Sequence, residues 1–427
     1  TIIKSGALAY VESVSIDLSI RGTANSYVVS GAGMYSFDAS VIGNGSYGIV
    51  SGASFHTEDP KITPASVEVL WESTGAGVET SKGKLLTSVS LIDGRIHFIS
   101  TGVEGNALVA VKDNNGTILW SWHLWFTDAP KDQLYVNSVG TFTVQDRNLG
   151  ATRADRGTGD EWKDAKGVLY QWGRKDPFIF YDSQEGSPYG DRSSSRVSIE
   201  STISTPTTFY GGSRGWETTR SNVSLWLPSQ KTIYDPCPVG YKVAQKEIWK
   251  DFSKTGTDVT NLSDFNVSGS YDKGWDFYYD ATNSTYIPAT DLIHYNYTYE
   301  HRDHIGDLWS SEATQGTNAY RWNYEYYGEW GSRLQLWYSE VTAYALATRC
   351  MKDEGHVDLA LPVVEMLGAK DATAESVAEG KKMIEQKAID VDLKYNITEK
   401  LYIEIEVFAH GALCMCYSGQ CYMSSLI

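Results

Sequence analysis

The most reactive side chains of this sequence crowd into its end. His410, Cys414, Cys416 and Cys421 stand within the run Glu406 to Ser424. Thiolates and imidazole are nucleophiles and soft-metal ligands, so this set offers thiol catalysis or metal binding. A Cys-x-Cys pair with its third Cys five residues on departs from the spacing of structural zinc sites. No metal and no cofactor is therefore assigned, and the four residues stand as the alternative catalytic set. A second chemistry lies in Tyr320-Arg321-Trp322-Asn323-Tyr324-Glu325-Tyr326-Tyr327-Gly328-Glu329-Trp330. Flat rings beside amides and carboxylates suit stacking on sugar rings or on a peptide. From this run Tyr320, Trp322, Asn323, Tyr324, Tyr326 and Trp330 are the ligand-contact candidates. Trp120, Trp122 and His123 form a third cluster, better read as large rings plugging a junction, because Trp is mostly buried. Glu247 and Asp251 could share a helix face, and read more simply as two solvated charges. No Gly-x-Ser-x-Gly motif announces a Ser–His–Asp set.

The elements that would carry these groups fall into regions of different composition. The chain has 427 residues, with 14 Trp, 28 Tyr and 12 Phe. All the Trp lie between Trp71 and Trp337, and three of the five Cys lie in the final stretch. Acidic residues outnumber basic ones, 53 to 36, for a net charge of −17. That charge excludes a general nucleic-acid binder and disfavours adsorption to an anionic membrane. No apolar run is long enough for a spanning helix, so no membrane span is expected. The sequence starts at Thr1 without a basic-then-apolar leader, which fits a trimmed product or a fragment.

Residues 1–128 alternate in short runs: Tyr10 to Ile20, Ser26 to Val29, Val67 to Trp71 and Leu86 to Leu91. Asp93-Gly94 between apolar residues predicts a hairpin, and Asp113-Asn114-Asn115-Gly116 a second turn. The spacing predicts an antiparallel β-sandwich. In residues 129–353 a strand pair is expected over Tyr135 to Val144. A short helix over Lys246 to Phe252 would set Ile248, Trp249 and Phe252 on one face, and a closing strand is expected over Thr342 to Arg349. Asp182 to Leu225 is rich in Ser, Gly, Thr and Arg and predicts a long binding loop. Residues 354–427 form a tail, with a helix expected over Asp371 to Ala388 and a strand over Leu401 to Phe408. The fold class is mainly β, with an α+β second domain and a short α/β tail.

Five ordered motifs carry a resemblance. They are Asp146-Arg147-Asn148-Leu149-Gly150-Ala151, Gly167 to Pro177, Asp235-Pro236-Cys237-Pro238-Val239-Gly240-Tyr241, Trp309-Ser310-Ser311 and Thr348-Arg349-Cys350-Met351-Lys352-Asp353. In this order they resemble the FISUMP domain, a surface-protein module of Bacteroidetes. With the Trp-rich run before it, residues 1–353 resemble fimbrial tip subunits. The resemblance implies a C-type-lectin-like fold for 129–353, and an exported protein at the cell surface or on a fimbrium. It implies a glycan or protein ligand and neighbouring fimbrial or surface subunits as partners. It also implies a Cys237–Cys350 disulfide, whose 113-residue separation could contribute roughly 5 kcal/mol. The triplets of a calcium-dependent sugar site are missing: Trp322-Asn323-Tyr324 lacks the last carboxylate.

The tail resembles a different family. Glu406, Phe408, Gly411, Ala412, Leu413, Cys414, Gly419, Cys421, Met423 and Ser424 match the signature of the peptidase U-thirty-two family, the collagenase-like peptidases and related RNA-hydroxylation proteins. That resemblance implies peptidase-type chemistry as the alternative function. No repeating βα units precede it to build that family's barrel. A module without any ligand beyond its structural neighbours is the third reading.

Overall fold

The computed structural model describes residues 15–45, 60–179, 189–218, 224–300, 303–314 and 317–354. The first of these residues fold into two sheets. One runs in the order Ile16–Asp17, Ala32–Asp38, Arg95–Thr101, Leu86–Ile92. The other runs Ser26–Val29, Ile118–Phe126, Gly105–Lys112, Ser66–Ser73, Glu79–Thr80. Period-two alternation turns their apolar faces toward each other. Phe37 meets Trp122 at 5.5 Å and Phe98 meets Phe126 at 6.2 Å between ring centroids. Asp93 and Gly94 both take positive φ, 49° and 76°, which is what a two-residue hairpin of the right twist demands. At the second turn the Asp113 carboxylate accepts from the backbone N–H of Asn115 and of Thr117, both at 2.8 Å.

Two expectations change here. The sheets are mixed rather than antiparallel, because Ser26–Val29 runs parallel to Ile118–Phe126 and Ile16–Asp17 parallel to Ala32–Asp38. Alternation is the same in both directions, so the pattern carries no strand direction. The strand expected over Tyr10 to Ile20 keeps only Ile16–Asp17 among the described residues. The Asp17 carboxylate takes the Ser19 N–H at 2.9 Å and hydroxyl at 2.7 Å, which bends the chain away.

The second region is built around one strand. Ala345–Lys352 is buried except at Lys352. It pairs with Thr141–Asn148, Tyr170–Gln171 and Tyr241–Val243 antiparallel, and with Ile305–Ala313 parallel. The sheet continues outward through Asn318–Tyr326 to Ser332–Val341. Lys246–Phe252 forms a 3-10 helix that buries Ile248, Trp249 and Phe252 as expected. Trp249 lies 5.6 Å from Trp322, and Phe252 lies 4.7 Å from Phe277. Cys237 and Cys350 form a disulfide. The stretch expected to be a loop contains a short helix, Ile199–Ser204, capped by the Ser198 hydroxyl.

The apolar core crosses the expected boundary near residue 128. Trp120, Trp122 and Leu124 belong to the same buried cluster as Tyr170, Trp172, Trp226 and Leu346. Polar contacts cross it too. Asn25 Nδ2 donates to the carbonyls of Ile233 and Asp235 at 2.8 and 2.9 Å, and Ser26 Oγ to that of Pro236 at 2.7 Å. The chain divides into units Thr1–His356 and Val357–Ile427. The second unit, with the expected helix and strand of the tail, lies outside the described residues. Among the described residues no helix is long and apolar enough to cross a membrane.

Candidate recognition site

The aromatic-rich run occupies the strand Asn318–Tyr326 and the hairpin tip beyond it. Alternation sorts its six candidate residues. Trp322 and Tyr324 point to the face covered by the 3-10 helix and are fully buried. Trp322 packs on Trp249, Phe252 and Phe277 at 5.6, 5.6 and 5.1 Å. Asn323 falls on the opposite face, also fully buried, in register with Asp307 and Gln335. Tyr326 is half-buried against Tyr271 and Trp275, at 4.6 and 5.3 Å. Tyr320 is half-buried, with Lys246 Nζ 5.4 Å from its ring. Trp330 is 94% exposed.

The tip is a 3-10 turn, Gly328–Trp330, between glycines at φ 63° and 135°. A side chain at either glycine would be strained, so the Gly-Glu-Trp-Gly sequence is what lets the chain turn so tightly. The Tyr327 N–H donates to the Gly331 carbonyl at 2.9 Å, and the Trp330 N–H to the Tyr327 carbonyl at 3.2 Å. Tyr327 rests on His304 at 4.9 Å. The indole is thus carried on a hydrogen-bonded turn rather than on a loose loop. Two further rings were not among the sequence candidates. Trp337 and Tyr338 on the returning strand are 36% and 39% exposed. A register shift opposite Arg321/Asn323 brings these consecutive rings out together. Trp337 Nε1 donates to the Lys246 carbonyl at 3.2 Å, and the Arg321 guanidinium lies 4.8 Å from the Tyr338 ring. Such a shift leaves no mark on sequence alternation.

A carboxyl pair lies beside Tyr320. The Glu312 carboxylate accepts the Lys246 N–H at 3.0 Å, and Lys246 Nζ donates to Glu247 Oε1 at 2.7 Å. Burial, then the Glu247 charge, pushes Glu312 up to about 7 from 4.5, against the smaller opposing pull of the Lys246 N–H and ammonium. The folded chain therefore holds this proton where the unfolded chain has released it. The stability linked to it is complete below about pH 4.5 and is lost as pH rises through 7. We expect a loss of at most about 3 kcal/mol between pH 4.5 and 8 from this group. Glu312→Gln should flatten that part of the profile in urea unfolding at pH 5 and 8. An unchanged slope in the variant would assign the pH dependence elsewhere. Glu247 and Asp251 do not act together, because Asp251 accepts from the Ser138 N–H and hydroxyl at 2.9 and 2.6 Å.

The Trp120–His123 cluster is interior. Trp120 Nε1 donates to Asn25 Oδ1 at 2.9 Å. His123 sits between Asn106 Oδ1 at 2.9 Å and the Tyr170 hydroxyl at 3.0 Å, and burial pushes it down to about 3, so it is neutral. Among the described residues no group of three or more His, Cys, Asp or Glu could hold a metal ion. His410, Cys414, Cys416 and Cys421 lie outside the described residues.

Fold and site together define a mainly β molecule with mixed sheets, an internal disulfide and one fully presented indole. The model of Peptidase family U32 matches residues 388–427, the segment that carries the late cysteines. A UPF0597 protein of Phocaeicola vulgatus is 46% identical over 65 residues, covering 12% of this chain and 15% of that protein. A UPF0597 protein of Bacteroides fragilis is 45% identical over 65 residues, with the same shares. The chain thus spans about 15% of the length of the curated relatives it matches. No solved structure matches.

Proposed function

We propose that residues 1–353 act as an adhesin-like recognition module, exported to the cell surface or a fimbrium, that binds a glycan or protein through its aromatic hairpin tip. The observation that carries this reading is Trp330, 94% exposed on a turn held by its own hydrogen bonds. An indole in water stabilises nothing in the fold. It offers both faces to the apolar C–H face of a sugar or to a protein pocket, and rigid aromatic anchors are the residue type that dominates binding. The Cys237–Cys350 bond favours an oxidising compartment. In this reading the two facing sheets are a β-sandwich that packs on a neighbouring fimbrial or surface subunit. The region after residue 128 is a C-type-lectin-like domain of FISUMP type.

The test is a glycan array and a pull-down with surface subunits, using the full chain and Trp330→Ala. The variant should lose binding at least ~30-fold, the equivalent of about 2 kcal/mol at an aromatic hot spot. Its melting midpoint should stay at the wild-type value, because the ring buries no core surface. Blank arrays and blank pull-downs would leave only the structural module without a ligand.

A second reading has one observation in its favour, the family-model match at 388–427. A collagenase-like peptidase or RNA-hydroxylation relative would work through Cys414, Cys416, Cys421 and His410. Thiol-dependent cleavage of gelatin by the full chain, abolished in Cys414→Ala, would put this reading first.

A further inference from the structure

A strand that bulges gives up regular pairing and re-aims a side chain, and bulges gather next to functional sites. In Ser332–Val341 the register passes from Asn323 opposite Gln335 to Arg321 opposite Tyr338, which sets Leu336 and Trp337 against the single residue Trp322. Leu336 is fully buried and Trp337 is 36% exposed, so the residue turned out is the indole. The bulge is held on both sides of the extra residue. The Asp258 carboxylate accepts the Leu336 N–H at 2.8 Å, and Trp337 Nε1 donates to the Lys246 carbonyl at 3.2 Å. The ring is fixed and its one polar atom is satisfied, so what it shows to water is apolar ring surface.

Charge gathers beside this ring. Lys250 Nζ lies 5.5 Å from the centre of the Trp337 ring and makes no ion pair among the described residues. Near the start of the same 3-10 helix, Lys246 Nζ donates to Glu247 Oε1 at 2.7 Å and lies 5.4 Å from the Tyr320 ring. The Lys246 and Glu247 side chains are 26% and 28% exposed, so a ligand reaches both. Glu312 accepts the Lys246 N–H at 3.0 Å, and burial pushes it up to about 7. At pH 6 Glu312 therefore keeps its proton and Glu247 is offset by Lys246, which leaves the Lys250 ammonium as the net charge of the patch. An apolar ring face, one uncommitted cation and a donor–acceptor pair stand together on the surface of a chain whose net charge is −17.

We propose that Trp337 and Lys250, flanked by Lys246 and Glu247, form a subsite for a carboxylate-bearing sugar, a uronic acid unit of an acidic glycan. The C–H face of the sugar stacks on the exposed part of the indole, and its carboxylate meets the Lys250 ammonium. The Lys246–Glu247 pair offers a donor and an acceptor to the ring hydroxyls. A peptide carboxylate would meet the ammonium but brings no ring to the indole, which is why the occupant is a glycan. The subsite deepens the reading of the molecule as a glycan-binding module and rests on it, but its residues lie apart from the turn that carries Trp330.

The probes are oligogalacturonate, its methyl ester and poly-glutamate, titrated against the full chain by calorimetry at pH 6 in low and moderate salt. The free acid should bind at least threefold more tightly than the ester, a margin that shrinks as salt rises. Trp337→Ala should weaken binding of both sugars at least tenfold. Lys250→Gln should weaken the free acid at least threefold and leave the ester unchanged, and Lys250→Arg should restore the preference. Lys250→Gln alters a side chain outside the core and keeps the test alive if Trp337→Ala unfolds. The subsite falls if acid and ester bind equally, if neither binds, if the Lys250 and Trp337 variants bind as the wild type does, or if poly-glutamate binds as tightly as oligogalacturonate. If those variants bind unchanged while Trp330→Ala loses binding, the subsite falls and the hairpin reading survives. If Trp330→Ala binds unchanged while the Trp337 and Lys250 variants lose binding, the hairpin reading falls and the subsite stands.

Discussion

Cys350→Ala should lower the free energy of unfolding by about 5 kcal/mol, and Cys237→Ala or the double replacement by nearly the same amount. The bond closes 113 residues of chain, and a loop that long withdraws a large share of the unfolded ensemble's freedom. Its two ends are placed where the closure matters. Cys350 lies in the buried strand Ala345–Lys352, in register with Val243. Cys237 lies just before Tyr241–Val243, so the bond ties together two elements that already hydrogen-bond. Both cysteines are fully buried. The loss should therefore come from the unfolded state, with a smaller part from the trimmed sulfur. Guanidinium unfolding of the wild type with and without reductant, beside the three variants, checks this. Equal midpoints in the two wild-type samples would mean the cross-link contributes little. Singles far worse than the double would assign the effect to a stranded thiol.

Much of the strand pattern could be read in the residues, and the reasons for the exceptions are physical. Leu86–Ile92 reads as a half-buried strand, Gly105–Lys112 and Ile118–Phe126 read as apolar runs and are buried on both faces, and the Asp93-Gly94 turn has a local requirement that names itself. Strand direction has no such local signal, which is why the parallel pairs at Ser26–Val29 and Ile16–Asp17 escaped. The aromatic run shows a second limit. Its rings read alike, yet Trp322 is sealed under the 3-10 helix while Trp330 stands in water. What separates them is the partner on each face, supplied by Trp249 and Phe277 from remote stretches. Only the glycines at 328 and 331 hinted at which ring the turn presents. Arg349 makes the same point. It is buried, and its guanidinium donates to oxygens of Asn148, Tyr135, Thr285 and Tyr286, as far as 214 positions away in sequence. The carboxyl pair of Glu247 and Glu312 is likewise a product of the helix meeting the strand Ile305–Ala313.

Asp235→Asn should cost about 3–5 kcal/mol, although it changes a single atom. The Asp235 carboxylate is fully buried and holds three donors: Lys231 Nζ at 2.8 Å, the Cys237 N–H at 2.9 Å and the Val243 N–H at 2.8 Å. It therefore shapes the Asp-Pro-Cys-Pro segment and presents Cys237 to its partner. An amide would turn an N–H group toward a donor and leave the Lys231 ammonium buried without its counter-charge. That ammonium also donates to the carbonyls of Cys237 and Tyr241 at 2.6 and 2.8 Å, so it cannot swing out without breaking both. Burial already pushes Lys231 down, and Asp235 is the first group opposing that. The folded chain already binds this proton less readily than the unfolded chain, and without Asp235 it binds it less readily still. Stability of the variant should then rise with pH as the amine becomes neutral. Lys231→Met in the Asp235→Asn background removes the stranded charge, so the double variant should be less destabilised than the sum of the singles by more than about 1 kcal/mol. Additive losses, or a pH-independent deficit in Asp235→Asn, would show that the hydrogen bonds to Cys237 and Val243 rather than the ion pair set the cost.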